Sequence, residues 1–142
     1  MKQQLVVGFL FSSDQKRIVV IHKNRPEHLA GRVIVPGGKV EPGESPLQAL
    51  IREWKEETDV QINRWTEFLL HQTPELDIFG FMHFSTARVN RCKTITDELI
   101  EVVEVAKLPS NMLPNARWMI HMALSFSAGE HASRFAVQEV YA

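Results

Sequence analysis

The sequence predicts an α/β fold in which a mixed sheet lies between helices. Apolar, β-rich runs come first, a strongly amphipathic helix follows, and further β-rich runs precede a second helical segment. This order of elements favours helices packed on a sheet over an all-helical bundle. The chain has 142 residues, of which 44% are hydrophobic, so it can bury a sizeable core. We therefore expect residues 1–142 to form a single domain.

The strands are predicted from runs of apolar and β-branched residues that are bounded by turn residues. In chain order they cover residues 5–11, 17–21, 33–35, 61–71, 77–89, 101–106 and 134–140. The first two flank the polar stretch 12–16 and are expected to form a hairpin. A polar loop, residues 23–32, leads to the third strand, which continues into a predicted turn at Pro36-Gly37-Gly38. Pro74 lies in the turn between the fourth and fifth strands.

The first helix has a clear start signal at Ser45. Pro46 suits the first helical position, and Gln48 completes a capping box with Ser45. Apolar residues then recur at i, i+3, i+4 and i+7, namely Leu47, Leu50, Ile51 and Trp54. Thr58-Asp59 is expected to end this helix. A loop over residues 109–114 leads to the second predicted helix, residues 115–127.

Carboxylates are crowded on the first helix. At about 100° per residue, Glu53, Glu56 and Glu57 fall within an arc of about 100° on a face away from the apolar stripe. Carboxylates held this close are suited to bind hard divalent cations such as Mg²⁺, which prefer oxygen ligands and often share them with phosphates. Arg52 lies four residues before Glu56 and can pair with it. The pattern indicates a metal-dependent site for phosphoanhydride hydrolysis, and a solvated helix face is the alternative.

The segment from Gly38 to Val60 resembles the Nudix box, G-x5-E-x7-R-E-U-x-E-E-x-G-U, where U is a bulky apolar residue. The matching positions are Gly38, Glu44, Arg52, Glu53, Trp54, Glu56, Glu57 and Val60. Asp59 stands where the family usually has glycine, and Asp tolerates a left-handed backbone better than most other residues. Trp54 is larger than the usual aliphatic residue. The resemblance implies the Nudix α/β/α sandwich and an active hydrolase.

The same resemblance implies a Mg²⁺-dependent pyrophosphohydrolase, with Mn²⁺ as a substitute metal. It makes Glu56 and Glu57 the principal metal ligands, Glu53 either a ligand or the general base, and the Gly37 carbonyl a further ligand. Arg52 is expected to orient the glutamates. Of the two remaining acids in the segment, Glu44 is expected to support the loop, and Glu41 to be a solvated loop acid.

Outside the box, the chain is most similar to the MutT-type branch, which acts on nucleoside triphosphates. Glu98 lies where that branch has an additional acidic metal ligand, and the alternative is a solvated loop acid. Lys23 and His28 fall where the branch places groups near phosphate or sugar. Asn115 matches an asparagine that recognises the nucleobase edge, and the alternative is a helix N-cap.

Composition excludes several other classes of protein. A net charge of −1 without a long basic run argues against a nucleic-acid polymer as partner. Cys92 is the single cysteine, which excludes an intramolecular disulfide and fits a reducing compartment. Because no signal peptide and no apolar run of about 18 residues is found, a cytoplasmic location without a membrane partner is expected. A homodimer is left open.

Three hypotheses for function remain at this point. The first is hydrolysis of a nucleoside triphosphate, including oxidised or non-standard ones, to a monophosphate and pyrophosphate. The second is the same chemistry on another nucleoside diphosphate derivative, such as ADP-ribose, a nucleotide sugar or a dinucleoside polyphosphate. The third is a nucleotide-sensing module without catalysis. The intact set of Glu53, Glu56 and Glu57 argues against the third.

Overall fold

The computed structural model of the protein describes residues 2–129 and 134–140. In these parts of the chain the strands are β1 (Gln3–Phe11), β2 (Arg17–His22), β3 (Val33–Ile34), β4 (Gly37–Lys39), β5 (Thr66–Gln72), β6 (Leu76–Phe84), β7 (Ile100–Glu104) and β8 (Phe135–Gln138). The α-helices are α1 (Pro46–Thr58), α2 (Thr86–Arg91) and α3 (Pro114–Ser127). Single 3₁₀ turns lie at Glu27–Leu29 and Val105–Lys107. None of the helices described is both long enough and apolar enough to cross a membrane.

One mixed sheet organises the described strands. Its order is β3-β2-β1-β6-β5-β8, with β4 also paired to β1 and β7 to β2. The parallel pair of β1 and β6 runs from Gln3↔Leu76 to Phe11↔Phe84, and β5 and β8 are also parallel. The other pairs are antiparallel, including the predicted hairpin of β1 and β2. The predicted mixed sheet is therefore confirmed.

The sheet lies between two apolar cores. Alternate residues of β1 point to opposite faces, so Val6 and Leu10 join the core under α1 while Phe9 and Phe11 join the core under α3. Each large apolar side chain that is fully buried stabilises the fold by about 1.5–3 kcal/mol. Both faces of the sheet thus need a covering helix, and the predicted arrangement of a sheet between helices is confirmed.

Helix α1 forms as its sequence predicts. The Ser45 Oγ accepts a hydrogen bond from the Gln48 backbone N–H at 3.1 Å, and Gln48 Oε1 accepts from the Ser45 N–H at 2.8 Å. Leu50 and Trp54 are fully buried on the apolar side. Asp59 ends the helix in the left-handed region with φ 64°, the conformation for which glycine is the usual choice. The capping box and the helix end are confirmed.

The predicted turn at Pro36-Gly37-Gly38 is wrong, because Gly37 begins strand β4. This strand pairs with β1 in the register Leu5↔Lys39, Val6↔Gly38 and Val7↔Gly37. A Cβ at Gly37 would lie only 2.0 Å from the Val6 carbonyl oxygen. The glycine is therefore needed for a close approach of two backbones, which a sequence pattern of adjacent glycines does not distinguish from a turn.

The predicted strand over residues 77–89 is wrong in its last five residues. Strand β6 ends at Phe84, where its parallel partner β1 also ends, and Thr86–Arg91 form α2. The Ser85 Oγ accepts from the Arg88 N–H at 3.2 Å and caps this short helix. Residues 61–65 are likewise outside β5. The last predicted strand is confirmed as β8.

Candidate active site

Arg52 is the centre of the acidic cluster on α1. Its Nε and Nη2 donate to the two carboxylate oxygens of Glu44 at 2.7 and 3.0 Å. Its Nη1 donates to Glu53 at 2.9 Å and to Glu56 at 3.3 Å, and Nη2 also donates to the Lys39 carbonyl at 3.0 Å. The predicted pairing of Arg52 with Glu56 is confirmed. The bidentate contact lowers the pKa of Glu44 and, in return, raises the pKa of Arg52.

Glu53 lies against the backbone of β4. A Cβ at Gly38 would lie 2.4 Å from the Glu53 carboxyl carbon and 2.6 Å from Oε1. The missing side chain at Gly38 therefore creates the space that this carboxylate occupies. Partial burial raises the pKa of Glu53, although the hydrogen bond from Arg52 opposes this rise.

Glu57 contacts the first residue of β4. Its Oε1 accepts a hydrogen bond from the Gly37 N–H at 3.1 Å. The pKa of Glu57 is raised to about 7, chiefly by burial and also by the negative charges of Glu53 and Glu98, while Lys23 and the hydrogen bond from Gly37 oppose this rise. Glu57 therefore interacts electrostatically with charged side chains from α1, from the loop after β2 and from the loop before β7.

The donors of the cluster, which are carboxylate oxygens, are of the chemical type that a hard divalent cation prefers. Glu53 and Glu57 supply carboxylate oxygens in a region where negative charges crowd, and a bound cation would favour their ionised forms. The Gly38 position leaves the space that holds the Glu53 carboxylate, whereas Glu56 is 58% exposed at the rim. Among the described residues, however, no group of three or more acidic, His or Cys side chains is arranged so that it could hold an ion. Glu53 and Glu56 share Arg52 while Glu57 turns to Gly37, so convergence of the three carboxylates stays a prediction.

Glu98 fastens the loop after β2. Lys23 Nζ donates to its Oε1 at 2.8 Å, and the Asn24 and Arg25 N–H groups donate to its Oε2 at 2.7 and 3.4 Å. Burial by itself would raise the pKa of Glu98, but Lys23 and the backbone donors outweigh it and the pKa lies below its ordinary value. Because Glu98 is only 5% exposed, the alternative of a solvated loop acid is wrong. Its role as a metal ligand stays a prediction.

A cavity of about 460 Å³ adjoins these groups. Its walls come from β1, β3, β4, the loop after β2 and the start of β6, and they are largely apolar, with Leu5, Val7 and Leu29 among them. Lys23 and His28, both predicted to bind substrate, line it. A groove of similar volume runs along residues 39–44, but it is more open and lacks Lys23. We therefore take the cavity lined by Lys23 and His28 as the candidate substrate site.

Asn115 lies on α3, in its first turn. The N-cap of α3 is Leu113, which makes no side-chain cap, so the alternative that Asn115 is the N-cap is wrong. The Asn115 Oδ1 accepts from Trp118 Nε1 at 3.2 Å. An indole N–H only donates, so the amide oxygen faces Trp118 and the amide NH₂ is left for other partners. Of the described residues, those that line the cavity do not include Asn115, and its contact with a nucleobase stays a prediction.

Sequence reasoning missed the supporting roles of two residues, Trp54 and Gly8. Trp54 Nε1 donates to the Pro36 carbonyl at 3.2 Å, and Gly8 leaves room for this indole. A glycine within a run of apolar strand residues is a signal of close approach by another group, and Gly8 carries that signal. Nothing in the local pattern around Trp54 indicates the partner of its N–H.

Comparisons with known proteins agree with this architecture. A model of the NUDIX domain matches residues 2–134. The 8-oxo-dGTP diphosphatase of Escherichia coli (strain K12) is 33% identical over 67 residues, which is 47% of this chain and 51% of that protein. The chain thus matches about half the length of this curated relative.

Two solved structures have the same fold. One, from work on MutT of Aliivibrio salmonicida and Vibrio cholerae, is 26% identical with a TM-score of 0.69 and covers 87% of this chain and 99% of its own. The other, a MutT NUDIX hydrolase from Burkholderia pseudomallei, is 19% identical with a TM-score of 0.70 and covers 86% and 98%. The fold that the box implied is therefore confirmed. Since the domain model matches nearly the whole chain, the protein belongs to the NUDIX domain family.

Proposed function

We propose that the protein is a Mg²⁺-dependent pyrophosphohydrolase that cleaves a nucleoside triphosphate to a nucleoside monophosphate and pyrophosphate. Residues 1–142 would act as one catalytic domain, and Mn²⁺ would substitute for Mg²⁺. The observation that carries the proposal is the position of the acidic cluster. Glu53 and Glu57 flank Gly37 and Gly38, and these two glycines line the cavity that also contains Lys23.

The chemistry of the substrate explains why such a site is needed. A polyphosphate repels hydroxide, so a catalyst has to neutralise its charge and place a water in line with the leaving group. Glu53, Glu56, Glu57 and Glu98 would hold the metal together with the Gly37 carbonyl. A bound Mg²⁺ neutralises phosphate oxygens and makes a coordinated water more acidic.

The remaining steps rest on the chain's own residues. Arg52 keeps Glu53 and Glu56 in fixed positions, because its Nη1 donates to both carboxylates while its Nη2 donates to the Lys39 carbonyl of β4. Lys23 carries a positive charge at the wall of the cavity and suits a phosphate oxygen there. The apolar part of the wall suits the base or sugar of a nucleotide and excludes water. Glu53 is either a ligand or the general base.

The triphosphate as substrate is supported by the relative from Escherichia coli, whose name is 8-oxo-dGTP diphosphatase. The second candidate is another nucleoside diphosphate derivative, such as ADP-ribose, a nucleotide sugar or a dinucleoside polyphosphate. It would use the same metal ligands, since only the group beyond the diphosphate differs. The third candidate is a nucleotide-sensing module, which the intact glutamates argue against.

A hydrolysis screen tests the proposal. Purified protein is incubated with normal and oxidised nucleoside triphosphates, ADP-ribose, nucleotide sugars and dinucleoside polyphosphates, with Mg²⁺ or with EDTA. Products are separated by ion exchange, so that pyrophosphate release is distinguished from orthophosphate release. We expect Mg²⁺-dependent formation of monophosphate and pyrophosphate from a triphosphate. Preferential cleavage of another compound would select the second candidate, and nucleotide binding without turnover would select the third.

A further inference from the structure

One peptide unit at the edge of the candidate site is held on both of its sides. The carbonyl oxygen of Pro36 accepts from the Gly8 N–H at 3.0 Å and from Trp54 Nε1 at 3.2 Å. The N–H of the same peptide, which belongs to Gly37, donates to Glu57 Oε1 at 3.1 Å. The orientation of this peptide plane therefore decides where the Glu57 carboxylate is anchored.

Two of these three contacts come from one helix. Trp54 and Glu57 are three residues apart on α1, so their side chains leave neighbouring sides of the helix and reach opposite ends of the peptide. Trp54 is fully buried, and its ring packs against Trp65 with centroids 5.2 Å apart. A Cβ at Gly8 would lie 2.2 Å from Trp54 Nε1, so the chain provides space for this indole at the required place.

The hydrogen bond depends on the indole of Trp54. An aliphatic side chain could also be buried at this position, but it has no N–H to donate to Pro36. An indole N–H only donates, so this contact requires the Pro36 carbonyl oxygen to face the indole. A hydrogen bond to a carbonyl also polarises the peptide and strengthens the N–H on its other side as a donor.

We propose that Trp54 is a positioning residue for Glu57 and acts through the Pro36–Gly37 peptide. Its N–H holds the peptide so that the Gly37 N–H engages one oxygen of Glu57 and leaves the other oxygen of that carboxylate for a divalent cation. The inference rests on the proposed function, because Glu57 is a ligand only if the site binds metal. Partners that orient a ligand in this way typically change metal affinity by about 10-fold or more when they are removed.

The test compares Trp54→Phe with Trp65→Phe in the full chain. Both substitutions remove a buried indole from the same aromatic pair, and both remove one N–H bond to a backbone carbonyl, since Trp65 Nε1 donates to Ile62 at 2.9 Å. Only Trp54 is linked to the peptide beside Glu57. Mn²⁺ binding is measured by EPR without substrate. We expect Trp54→Phe to weaken the Mn²⁺ affinity about 10-fold, and Trp65→Phe to leave it within about two-fold of the wild type.

A second measurement needs no variant and so does not depend on whether Trp54→Phe folds. In ¹H–¹⁵N spectra of the wild type during a Mg²⁺ titration, the Trp54 indole and Gly37 amide signals should shift with one midpoint, while the Trp65 indole signal stays in place. Equal Mn²⁺ affinity in the two variants, or a Trp54 signal that does not respond, would overturn the inference and leave the proposed function standing. A wild type that binds neither metal would overturn both.

Discussion

Replacing Gly38 by alanine separates the geometry of the acidic cluster from the stability of the fold. The new Cβ would lie 2.4 Å from the Glu53 carboxyl carbon, whereas ordinary contacts begin at 3.4 Å. The carboxylate therefore has to retreat by about 1 Å. A displacement of about 1 Å in a group that positions a reaction costs about 10²-fold in rate. We expect kcat to fall by about that factor.

The fold should tolerate this change. The clash involves the end of a flexible side chain, and turning a Glu53 torsion about 30° away from its rotamer costs about 0.5–1.5 kcal/mol. The loss of its 2.9 Å contact with Arg52 adds little at a partly exposed position. Thermal unfolding followed by circular dichroism should thus show a decrease of a few degrees in Tm, while pyrophosphate release shows the loss of turnover.

Two other alanine substitutions serve as controls. At Gly37 the Cβ would lie 2.0 Å from the Val6 carbonyl oxygen, and a backbone atom of a central strand cannot retreat, so we expect that variant not to fold. At Gly129, with φ +78° and open space around it, only backbone strain of about 1–2 kcal/mol is expected, with normal turnover. A Gly38→Ala protein with wild-type kcat would refute the reasoning that the position of Glu53 controls the reaction.

Three further predictions concern side chains in and near the site. Glu56→Gln should lower turnover by at least about 10²-fold with an unchanged Tm. Glu41→Gln, which removes another exposed acid near Arg52, should leave turnover near normal. Similar losses of turnover in both variants would point to surface charge instead of metal binding. Asn115→Ala should change the ratio of kcat/KM between nucleobases more than the overall rate, and a uniform loss would instead assign it to support of Trp118. Burial raises the pKa of Cys92 to about 12, so the reactive thiolate is scarce at pH 8. Iodoacetamide should therefore modify Cys92 of the folded protein more than about 10²-fold more slowly than in the urea-denatured chain. Labelling is measured by mass spectrometry, and equally fast labelling of the folded protein would contradict this.

The first helix and its acids were predictable because their signals are local. Ser45 and Gln48 cap the helix through atoms a few residues apart, and Asp59 ends it by its own backbone conformation. The pairing of Arg52 with Glu56 also follows from helical spacing alone. In such motifs the interacting atoms belong to residues close together in sequence. The sequence therefore predicts both the local structure and the chemical type of the side chains it presents.

Other features depended on segments that are distant in sequence. Gly37 looked like part of a turn, yet its lack of a side chain serves the pairing of β4 with β1. Glu98 looked equally like a ligand or a solvated acid, and only the packing of two loops shows it buried under Lys23 and the N–H groups beside it.

The sequence by itself determined the α/β architecture and the carboxylates that crowd one helix, since these follow from periodicity, capping and spacing, and the resemblance of its box pointed to the family. Only the tertiary structure decided which backbone N–H groups contact those carboxylates and that Lys23, from a distant loop, lies near Glu57. Glu57 contacts a peptide 20 residues earlier in the chain, and that peptide is fixed by a strand further away still. Contacts of this range depend on how the sheet and helices pack, and no local pattern contains that information.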